Sequence, residues 1–431
     1  MTTEINRLYE AFKASGKIST DSRIIENGCV FFAFKGENFD AGEFVGQALE
    51  KGAAMCVTEN EAYKGDPRCV VTPDVLGMLQ QLAICYRKDL KIPFIGVTGT
   101  NGKTTTKELM YAVLSRKYKT CATVGNHNNH LGVPLTILSI PKDAEIAIVE
   151  MGANHPGEIT DLCRISDPDM GVITNVGKAH LEGFGGFEGV VNTKTALYRH
   201  LAGKGGTVFV DASNERLMRE SQIVPHRYTY GENGTVKGHC LGSNPEMKFY
   251  VEEGDNVYNI QTHLIGNYNF ANAMAAVCVG RRLGVEMFDI KEALESYVPQ
   301  NNRSQFKQTS RNRLVMDCYN ANPSSMKVSL ENFAGMDGSC KVAMLGEMKE
   351  LGAESEAEHR NVLEQALTIG LNSLVLVGKN WEEVKSPSCE VYRFETSGEA
   401  ADYFQAHPLD GATILLKGSN GTKMWLLADV L

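Results

Sequence analysis

The chain has 431 residues, of which 43% are hydrophobic and 22% are charged, and its formal net charge is −9 at pH 7. This length predicts about three domains of roughly 150 residues each, with enough apolar residues for several packed cores. The negative charge argues against a general nucleic-acid-binding protein, because a phosphate backbone requires an excess of Lys and Arg.

The cysteines and the apolar runs indicate the cellular compartment in which the protein is expected. The eleven cysteines form no C-x-x-C pair, so the usual spacing of a zinc site is absent. The opening residues lack the basic and then apolar pattern of a signal peptide. No apolar run approaches the ~20 residues that span a bilayer. We therefore expect a reduced, cytoplasmic protein without a membrane span or a nucleic-acid partner.

Three units follow from the order of the predicted elements, which is that of an α/β protein. Residues 1–90 mix short apolar strands with a helical stretch. Residues 91–298 alternate strands with helices, which predicts a mainly parallel sheet covered on both faces, although 231–264 has the alternation of antiparallel strands. Residues 299–431 contain four apolar runs, each followed by a turn and a plausible helix, which predicts a second such sheet.

The most informative segment is GTNGKTTT, residues 99–106, between an apolar strand and a helical pattern. Its glycines let backbone N–H groups face an anion, and the helix N-terminus adds partial positive charge. Lys103 is predicted to reach the β- and γ-phosphates of a nucleotide, and the Thr104 hydroxyl to bind Mg²⁺. The general phosphate-loop pattern is matched imperfectly, because Val97 stands where that pattern has glycine.

Two further strand ends carry candidate metal ligands. Glu150 ends the strand IVEMG, and ligands of α/β sheets bind at the carboxyl ends of strands. One carboxylate and one hydroxyl suffice for Mg²⁺, although a capping glutamate is the alternative. His180, after the next strand, is a candidate ligand of a second metal through a neutral ring nitrogen. A lone histidine is more often solvated, but its place beside the phosphate loop favours the metal.

Amide side chains are candidates for ligand contacts. The segment 125–138 holds Asn126 and Asn129, which either bind sugar hydroxyls, phosphates or carboxylates, or form an Asn-rich turn. Asn269 and Asn272 lie one helical turn apart, so one face can present both amides to an adenine edge.

Later strand ends are polar as well. Asp317, Asn320 and Asn322 crowd a turn in DCYNANPSSM, and an Asx-rich turn is the alternative to ligand binding. Lys417 ends another strand, where its ammonium can meet a carboxylate or a phosphate. Lys194 lies in a helical stretch, in which an exposed lysine is the usual expectation.

The first unit combines a hydroxyl and a guanidinium, Ser22 and Arg23, with an aromatic strand that leads to Lys35. Such a surface holds a nucleotide's base and phosphates, or it is an ordinary strand and loop.

Together these segments resemble the Mur ligase family over nearly the whole chain and in the family's order. The resemblance is carried by TDSR, FFAFKGENFDAGEF, GVTGTNGKTTTKE, GNHNNHLGVPLTIL, VEMGANHPGEI, NVGKAHLEGFG, DCYNANPSSM, GEMKELG and LLKGS. It implies a UDP-binding first domain, a central ATPase and a C-terminal Rossmann-like domain.

The resemblance also implies an ATP-dependent amide ligase. ATP would phosphorylate the C-terminal carboxylate of UDP-N-acetylmuramoyl-tripeptide, and the amine of D-alanyl-D-alanine would then displace phosphate. Phosphorylation supplies the leaving group that a carboxylate lacks, and Mg²⁺ and lysines offset charge in the transition state. ATP, two Mg²⁺ ions and a monomeric enzyme are the expectations.

Site residues follow from the motifs and the resemblance together. The predicted ATP contacts are Gly99, Thr100, Asn101, Gly102, Lys103, Thr104, Thr105, Asn272, Arg303, Asp317 and Asn320. The predicted metal ligands are Thr104, Glu150, His180 and Lys194. The resemblance implies that Lys194 acts as a carbamate, an anion whose formation needs a neutral amine and hence a lowered pKa. The predicted catalytic residues are Lys103, His180 and Lys194. The predicted substrate contacts are Ser22, Arg23, Lys35, Asn126, Asn129, Asn322 and Lys417.

Three positions depart from the family pattern. Tyr268 stands where the family usually has His, Thr195-Ala196 follow Lys194 in place of Gly-Glu, and Asn302 replaces the Gly before Arg303. Other readings are a folylpolyglutamate synthetase, which usually lacks the first domain, the ligase that adds the third peptide residue, and a nucleotide-binding switch. The sequence leaves open whether the third peptide residue is diaminopimelate or lysine.

Overall fold

The structure, a computed structural model, describes residues 3–178, 181–300, 302–384 and 386–431. Its strands form four sheets, which follow one another along the chain. No helix among the described residues has the length and apolar character needed to cross a membrane.

The first sheet is parallel and has four strands in the order β1-β2-β3-β4. The strands are β1 (Ile18–Ser19), β2 (Val30–Phe32), β3 (Met55–Thr58) and β4 (Cys69–Val71). The helices are α1 (Thr3–Ser15), α2 (Val45–Glu50) and α3 (Val75–Asp89). Helix α1 was not among the predicted elements. It buries Ile5, Leu8 and Phe12, so it belongs to the core.

The second sheet has six parallel strands in the order β10-β9-β8-β5-β7-β6, which confirms the predicted parallel sheet. The strands are β5 (Phe94–Thr98), β6 (Thr120–Ala122), β7 (Ile146–Glu150), β8 (Met170–Ile173), β9 (Thr207–Asp211) and β10 (His226–Tyr230). The helices are α4 (Lys103–Leu114), α5 (Gly132–Leu138), α6 (Glu158–Ser166), α7 (Leu181–Phe184), α8 (Phe187–Lys194), α9 (Ala196–Lys204) and α10 (Glu215–Glu220). Strand β5 lies between β7 and β8, so the loops that follow these three strands are neighbours.

A three-stranded antiparallel sheet follows, as the alternation over 231–264 predicts. It consists of β11 (Gly238–Ser243), β12 (Glu246–Glu253) and β13 (Asn256–Ile265). Two helices come next, α11 (Asn269–Arg282) and α12 (Met287–Ser296). Helix α11 packs against α4 in one apolar core, so this segment supports the helix that begins at the phosphate loop.

The last sheet has six strands in the order β14-β15-β19-β16-β17-β18. They are β14 (Gln305–Gln308), β15 (Arg313–Asp317), β16 (Lys341–Gly346), β17 (Ser373–Val377), β18 (Glu390–Phe394) and β19 (Thr413–Lys417). Strand β14 is antiparallel, and the other neighbouring pairs are parallel. The helices are α13 (Pro323–Ala334), α14 (Ser355–Thr368) and α15 (Ser397–Ala406).

The prediction that each apolar run of the last unit precedes an α-helix is wrong at two places. Among the described residues between β17 and β18 there is no helix, and the chain there is held by Trp381, whose Nε1 donates to Val377 O at 3.2 Å. After β19 only short 3₁₀ turns follow, Asn420–Thr422 and Met424–Asp429. Strands β14 and β18 were missed because they are polar edge strands.

Helix α3 joins the first sheet to the second through Arg87. The guanidinium is buried, its Nε donates to Ser166 O at 2.8 Å, and its Nη2 donates to Asp167 O at 2.8 Å and pairs with Asp169 at 3.0 Å. It also stacks on the Phe94 ring at 3.8 Å. One cation therefore satisfies several polar groups between the two sheets.

We expect Arg87→Ala to lower the free energy of unfolding by about 3 kcal/mol, because it leaves the buried Ser166 carbonyl without its donor and breaks the pair with Asp169. Urea unfolding followed by circular dichroism measures this loss. Lys88→Ala, at an exposed position of the same helix, is the matched control and should change stability by less than about 0.5 kcal/mol. Equal effects of the two substitutions would contradict the anchoring role of Arg87.

Candidate active site

One large cleft, about 900 Å³ in volume, lies between the central and the last sheets. Loops after β5, β7 and β8 line one side, and the loop after β15, the start of α13 and the last residue of β19 line the other. The predicted residues that line it are Thr100, Asn101, Gly102, Lys103, Thr104, Thr105, Asn126, Asn129, Glu150, Lys194, Asn272, Arg303, Asp317, Asn320 and Lys417. Residues far apart in the sequence thus meet at one place, where strand ends of two sheets converge.

The phosphate loop depends on two glycines at positive φ. Gly99 has φ +147°, and a Cβ there would lie 1.9 Å from Thr174 Oγ1. Gly102, the N-cap of α4, has φ +77°, and a Cβ would lie 2.6 Å from Asn272 Oδ1. Both positions therefore exclude other residues by conformation and by space. These contacts explain why this loop has glycine at 99 and 102, whereas Val97 lies inside the buried strand β5.

Lys103 begins α4 and folds back over the loop. Its Nζ donates to Gly99 O at 2.8 Å and to Thr100 O at 3.0 Å. Burial lowers the pKa of Lys103, the Glu150 carboxylate opposes this change, and the Arg303 guanidinium adds to it. An anion in the cleft would favour the charged amine, as expected of a phosphate-binding lysine.

Glu150 is the buried carboxylate at the end of β7, with 1% of its surface exposed. Its Oε1 accepts from Thr104 Oγ1 at 3.2 Å and from Asn128 Nδ2 at 2.8 Å. Its Oε2 is buried without a hydrogen-bond partner. An unpaired carboxylate oxygen is costly to bury, so a cation fits this position better than a capping role does.

Over the described residues, which leave out His180, no three His, Cys, Asp or Glu side chains form a metal-binding group. The donors present at this point are the Thr104 hydroxyl and the Glu150 carboxylate. Hard oxygen donors of this kind suit Mg²⁺, which keeps several of its waters. The residues present therefore fit one magnesium ion, and the His180 prediction lies outside the described residues.

Asn128 was missed by the sequence reasoning. It lies in the same segment as Asn126 and Asn129, and no spacing distinguishes it from them. Asn129 Oδ1 accepts from Leu131 N at 3.1 Å and from Gly132 N at 2.8 Å, so it binds the backbone where α5 begins. Both Asn126 and Asn129 line the cleft, and their contact with substrate stays a prediction.

Lys194 is buried at the end of α8, with 2% of its surface exposed, so the expectation of an exposed helix lysine is wrong. Burial, with a smaller contribution from Lys103 and against the opposing effect of Glu158, lowers the pKa of Lys194 to about 7. A large fraction of the amine is therefore neutral at neutral pH, which is the chemical requirement for carbamate formation. Its Nζ lies 5.6 Å from the centre of the Phe184 ring.

The two amides predicted to face adenine are connected to the phosphate-loop helix. Asn272 Oδ1 accepts from Thr106 Oγ1 at 3.0 Å, and its Nδ2 donates to Asn269 Oδ1 at 2.9 Å. Asn269 Nδ2 in turn donates to Ile265 O at 2.7 Å. This chain of bonds holds α11 against α4, and the contact with adenine stays a prediction.

The last sheet contributes an ion pair and a stacked guanidinium. Lys417 Nζ lies 2.8 Å from Asp317 Oδ2 and donates to Asn320 O at 3.0 Å, with 2% of the lysine exposed. The Arg303 guanidinium lies 3.6 Å from the centre of the Tyr319 ring. Tyr319 was not among the predicted residues, because Arg303 precedes it by sixteen positions and no sequence pattern links the two.

Four predicted substrate residues do not line the cleft. Ser22, Arg23 and Lys35 lie on the first unit. Arg23 pairs with Asp21 at 2.6 Å, Lys35 lies 3.6 Å from Asp40, and both of these cations are exposed. Asn322 caps α13 and contacts the phosphate loop. The substrate roles of these four residues stay predictions.

Known families match most of the chain. A model described as the Mur ligase middle domain matches residues 97–280, and one described as Mur ligase, glutamate ligase domain matches residues 302–420. The UDP-N-acetylmuramoyl-tripeptide--D-alanyl-D-alanine ligase of Bacillus subtilis is 32% identical, over 98% of this chain and 94% of the relative.

Solved structures agree. MurF from Acinetobacter baumannii is 30% identical with a TM-score of 0.86, and the match covers 99% of this chain and 98% of that chain. MurF ligase from Thermotoga maritima, solved in complex with ADP, is 28% identical with a TM-score of 0.86, covering 100% and 98% of the two chains. Two domain models and a 32%-identical relative matched over nearly its full length show that the chain belongs to the Mur ligase family of ATP-dependent ligases.

Proposed function

We propose that the chain joins D-alanyl-D-alanine to UDP-N-acetylmuramoyl-tripeptide with the consumption of ATP, in cytoplasmic peptidoglycan precursor synthesis. The observation that carries the proposal is the cleft in which the phosphate loop, the buried Glu150 and Lys194 face the charged strand ends of the last sheet. The name of the Bacillus subtilis relative supports the choice of substrates over folate or the third-residue amino acid.

In the proposed reaction the γ-phosphoryl group of ATP moves to the terminal carboxylate of the tripeptide, giving an acyl phosphate and ADP. The amine of D-alanyl-D-alanine then attacks the acyl carbon, the C–O bond to phosphate breaks, and the amine loses a proton. Lys103 neutralises charge on the transferring group, and the backbone N–H groups of residues 102–104, at the start of α4, hold the phosphates. Bringing the three reactants into one cleft accounts for much of the rate.

Mg²⁺ would be held by Thr104 and Glu150, with a second ion at His180 and carbamylated Lys194. When bound, Mg²⁺ offsets negative charge between the phosphates and the attacking carboxylate. The fit at the first position rests on the unpartnered Glu150 Oε2.

The remaining assignments are proposed as a set. The boundaries of the domains are 1–90 for binding UDP, 91–298 for binding ATP, and 299–431 for closing the cleft, and the enzyme acts as a monomer. ATP contacts come from residues 99–105 with Asn272, Arg303, Asp317 and Asn320. Substrate contacts come from Ser22, Arg23, Lys35, Asn126, Asn129, Asn322 and Lys417.

The test of the proposed reaction is phosphate release from ATP with each component omitted in turn. We expect release only when Mg²⁺, UDP-N-acetylmuramoyl-tripeptide and D-alanyl-D-alanine are all present, together with a UDP-linked pentapeptide by mass spectrometry. Tripeptides ending in lysine and in diaminopimelate are compared. Release that needs neither substrate would indicate an uncoupled ATPase, and release with a folate and glutamate would indicate the folate enzyme.

Lys194→Ala is expected to lose at least nine-tenths of the activity and to regain part of it with added acetate or formate, because a small carboxylate replaces the carbamate. Carbamate formation uses the neutral amine and releases a proton, so it is favoured above the pKa of Lys194, which is about 7. When bicarbonate is added to CO₂-depleted enzyme, the activity that returns should therefore increase as the pH is raised through about 7 and should be small at lower pH.

Lys103→Ala is the control for this rescue. It also removes an amine from the cleft, but Lys103 is not proposed to carry a carbamate, so added acetate has no missing anion to replace. It should stay inactive with acetate. A Lys194→Ala enzyme of near wild-type activity, or equal rescue of both variants, would contradict a carbamate at Lys194.

Asn128→Ala is expected to raise the Mg²⁺ concentration for half-maximal activity about tenfold, because it removes the donor that orients Glu150. The measurement is a Mg²⁺ titration of phosphate release at saturating ATP. His127→Ala, at the exposed neighbouring position, should leave the Mg²⁺ requirement unchanged. An unchanged requirement in Asn128→Ala would show that Thr104 alone positions the carboxylate.

A further inference from the structure

Helix α13 of the last unit begins with a capping box at the edge of the cleft. Asn322 Oδ1 accepts from Ser325 N at 2.9 Å, and Ser325 Oγ accepts from Asn322 N at 3.0 Å. The carbonyl oxygen of the Asn322 side chain is therefore used within its own helix. Its amide group points away from the helix, toward the central unit.

That amide meets the phosphate loop. Asn322 Nδ2 donates to Asn101 Oδ1 at 2.8 Å, and Asn322 is 5% exposed. Because the cap fixes which end of the Asn322 side chain carries the oxygen, the donor and acceptor of this bond are set by the network. The bond joins two positions that are 221 residues apart in the chain.

Asn101 is otherwise held by the loop that follows β8. Its backbone N donates to Asn175 Oδ1 at 3.0 Å. Its backbone O accepts from Thr174 Oγ1 at 2.6 Å and from Asn175 Nδ2 at 3.0 Å. The backbone of Asn101 is thus fixed by the central unit, and its side chain is fixed by the last unit.

Other contacts place α13 and α14 on the same loop. A Cβ at Gly177 would lie 3.1 Å from Ser324 Oγ, so the first turn of α13 approaches the backbone there closely. Gly177 N donates to Thr100 Oγ1 at 3.0 Å, one residue before Asn101. Lys178 Nζ pairs with Glu358 Oε1 of α14 at 3.1 Å. The last unit therefore docks on the segment that holds the phosphate loop.

We propose that Asn322 is a positioning residue for phosphoryl transfer, which acts through Asn101 and completes the phosphate loop when the last unit docks on the central unit. This role replaces the substrate contact proposed for Asn322 above, because both ends of its amide are bonded within the chain. It rests on the proposed function only for its effect on the rate of the reaction. Small shifts of a phosphate cradle lower the rate because the reacting atoms must be aligned.

Asn322→Ser tests the proposal because serine keeps an N-cap but is too short to reach Asn101. Loss of one neutral hydrogen bond should lower kcat about fivefold, with the KM values of both substrates unchanged within about twofold. Ser325→Ala is the matched control, since it removes the other half of the capping box and leaves the bond to Asn101. Its kcat should stay within about twofold of wild type.

Hydrogen–deuterium exchange of the full-length protein without ligands gives a second measurement. In Asn322→Ser we expect the amides of 99–106 to exchange about fivefold faster, whereas Ser325→Ala changes only the first turn of α13. Unchanged exchange over 99–106 overturns the proposal.

The kinetic measurements have two outcomes that would also overturn the proposal. Equal loss of kcat in both variants would make Asn322 a helix cap only, and a raised substrate KM at unchanged kcat would make it a substrate ligand. If the wild type lacks ligase activity, the proposed function fails while the exchange measurement still decides this inference.

Discussion

The order of three parallel strands determines the chemistry of this molecule. Strand β5 lies between β7 and β8, and parallel strands all end at the same edge of a sheet. The phosphate loop after β5 therefore meets Glu150 at the end of β7 on one side and Asn175 after β8 on the other. A strand inserted between β5 and either neighbour would separate the phosphate loop from the carboxylate on one side or from Asn175 on the other.

The last sheet repeats this arrangement from the opposite side. Strands β15 and β19 are neighbours in register, with Asp317 opposite Lys417, so the buried lysine and the half-buried aspartate form an ion pair that faces the cleft. The pair is anchored by a further bond to Asn320 O. Two sheets thus present fixed charges to one volume of about 900 Å³, which suits a reaction that brings together several anionic molecules.

Local patterns were predictable from the sequence, and pairings between distant segments were not. The phosphate loop and Glu150 are recognisable because a glycine-rich turn and a carboxylate directly follow apolar strands. The burial of Lys194 depends on packing from other helices, which spacing within 190–197 cannot reveal. Asn128 was indistinguishable from its neighbours, since only the position of Glu150 in the fold selects it. Polar edge strands such as β18 carry too little apolar signal to be recognised.

The attachment of the first sheet differs in kind from that of the last. One continuous apolar core runs from Ile5 through Val224, and Arg87 locks α3 to the central sheet across it. The last unit has cores built of its own residues together with Ile265 of β13, and it meets the phosphate loop through polar bonds such as Asn322 to Asn101. A polar interface of this kind between two domains opens with a smaller loss of free energy than an apolar core does. Mechanically, the first and central sheets therefore form one body, and the polar contacts of the last sheet with the phosphate loop can break without exposing the core that those two sheets share.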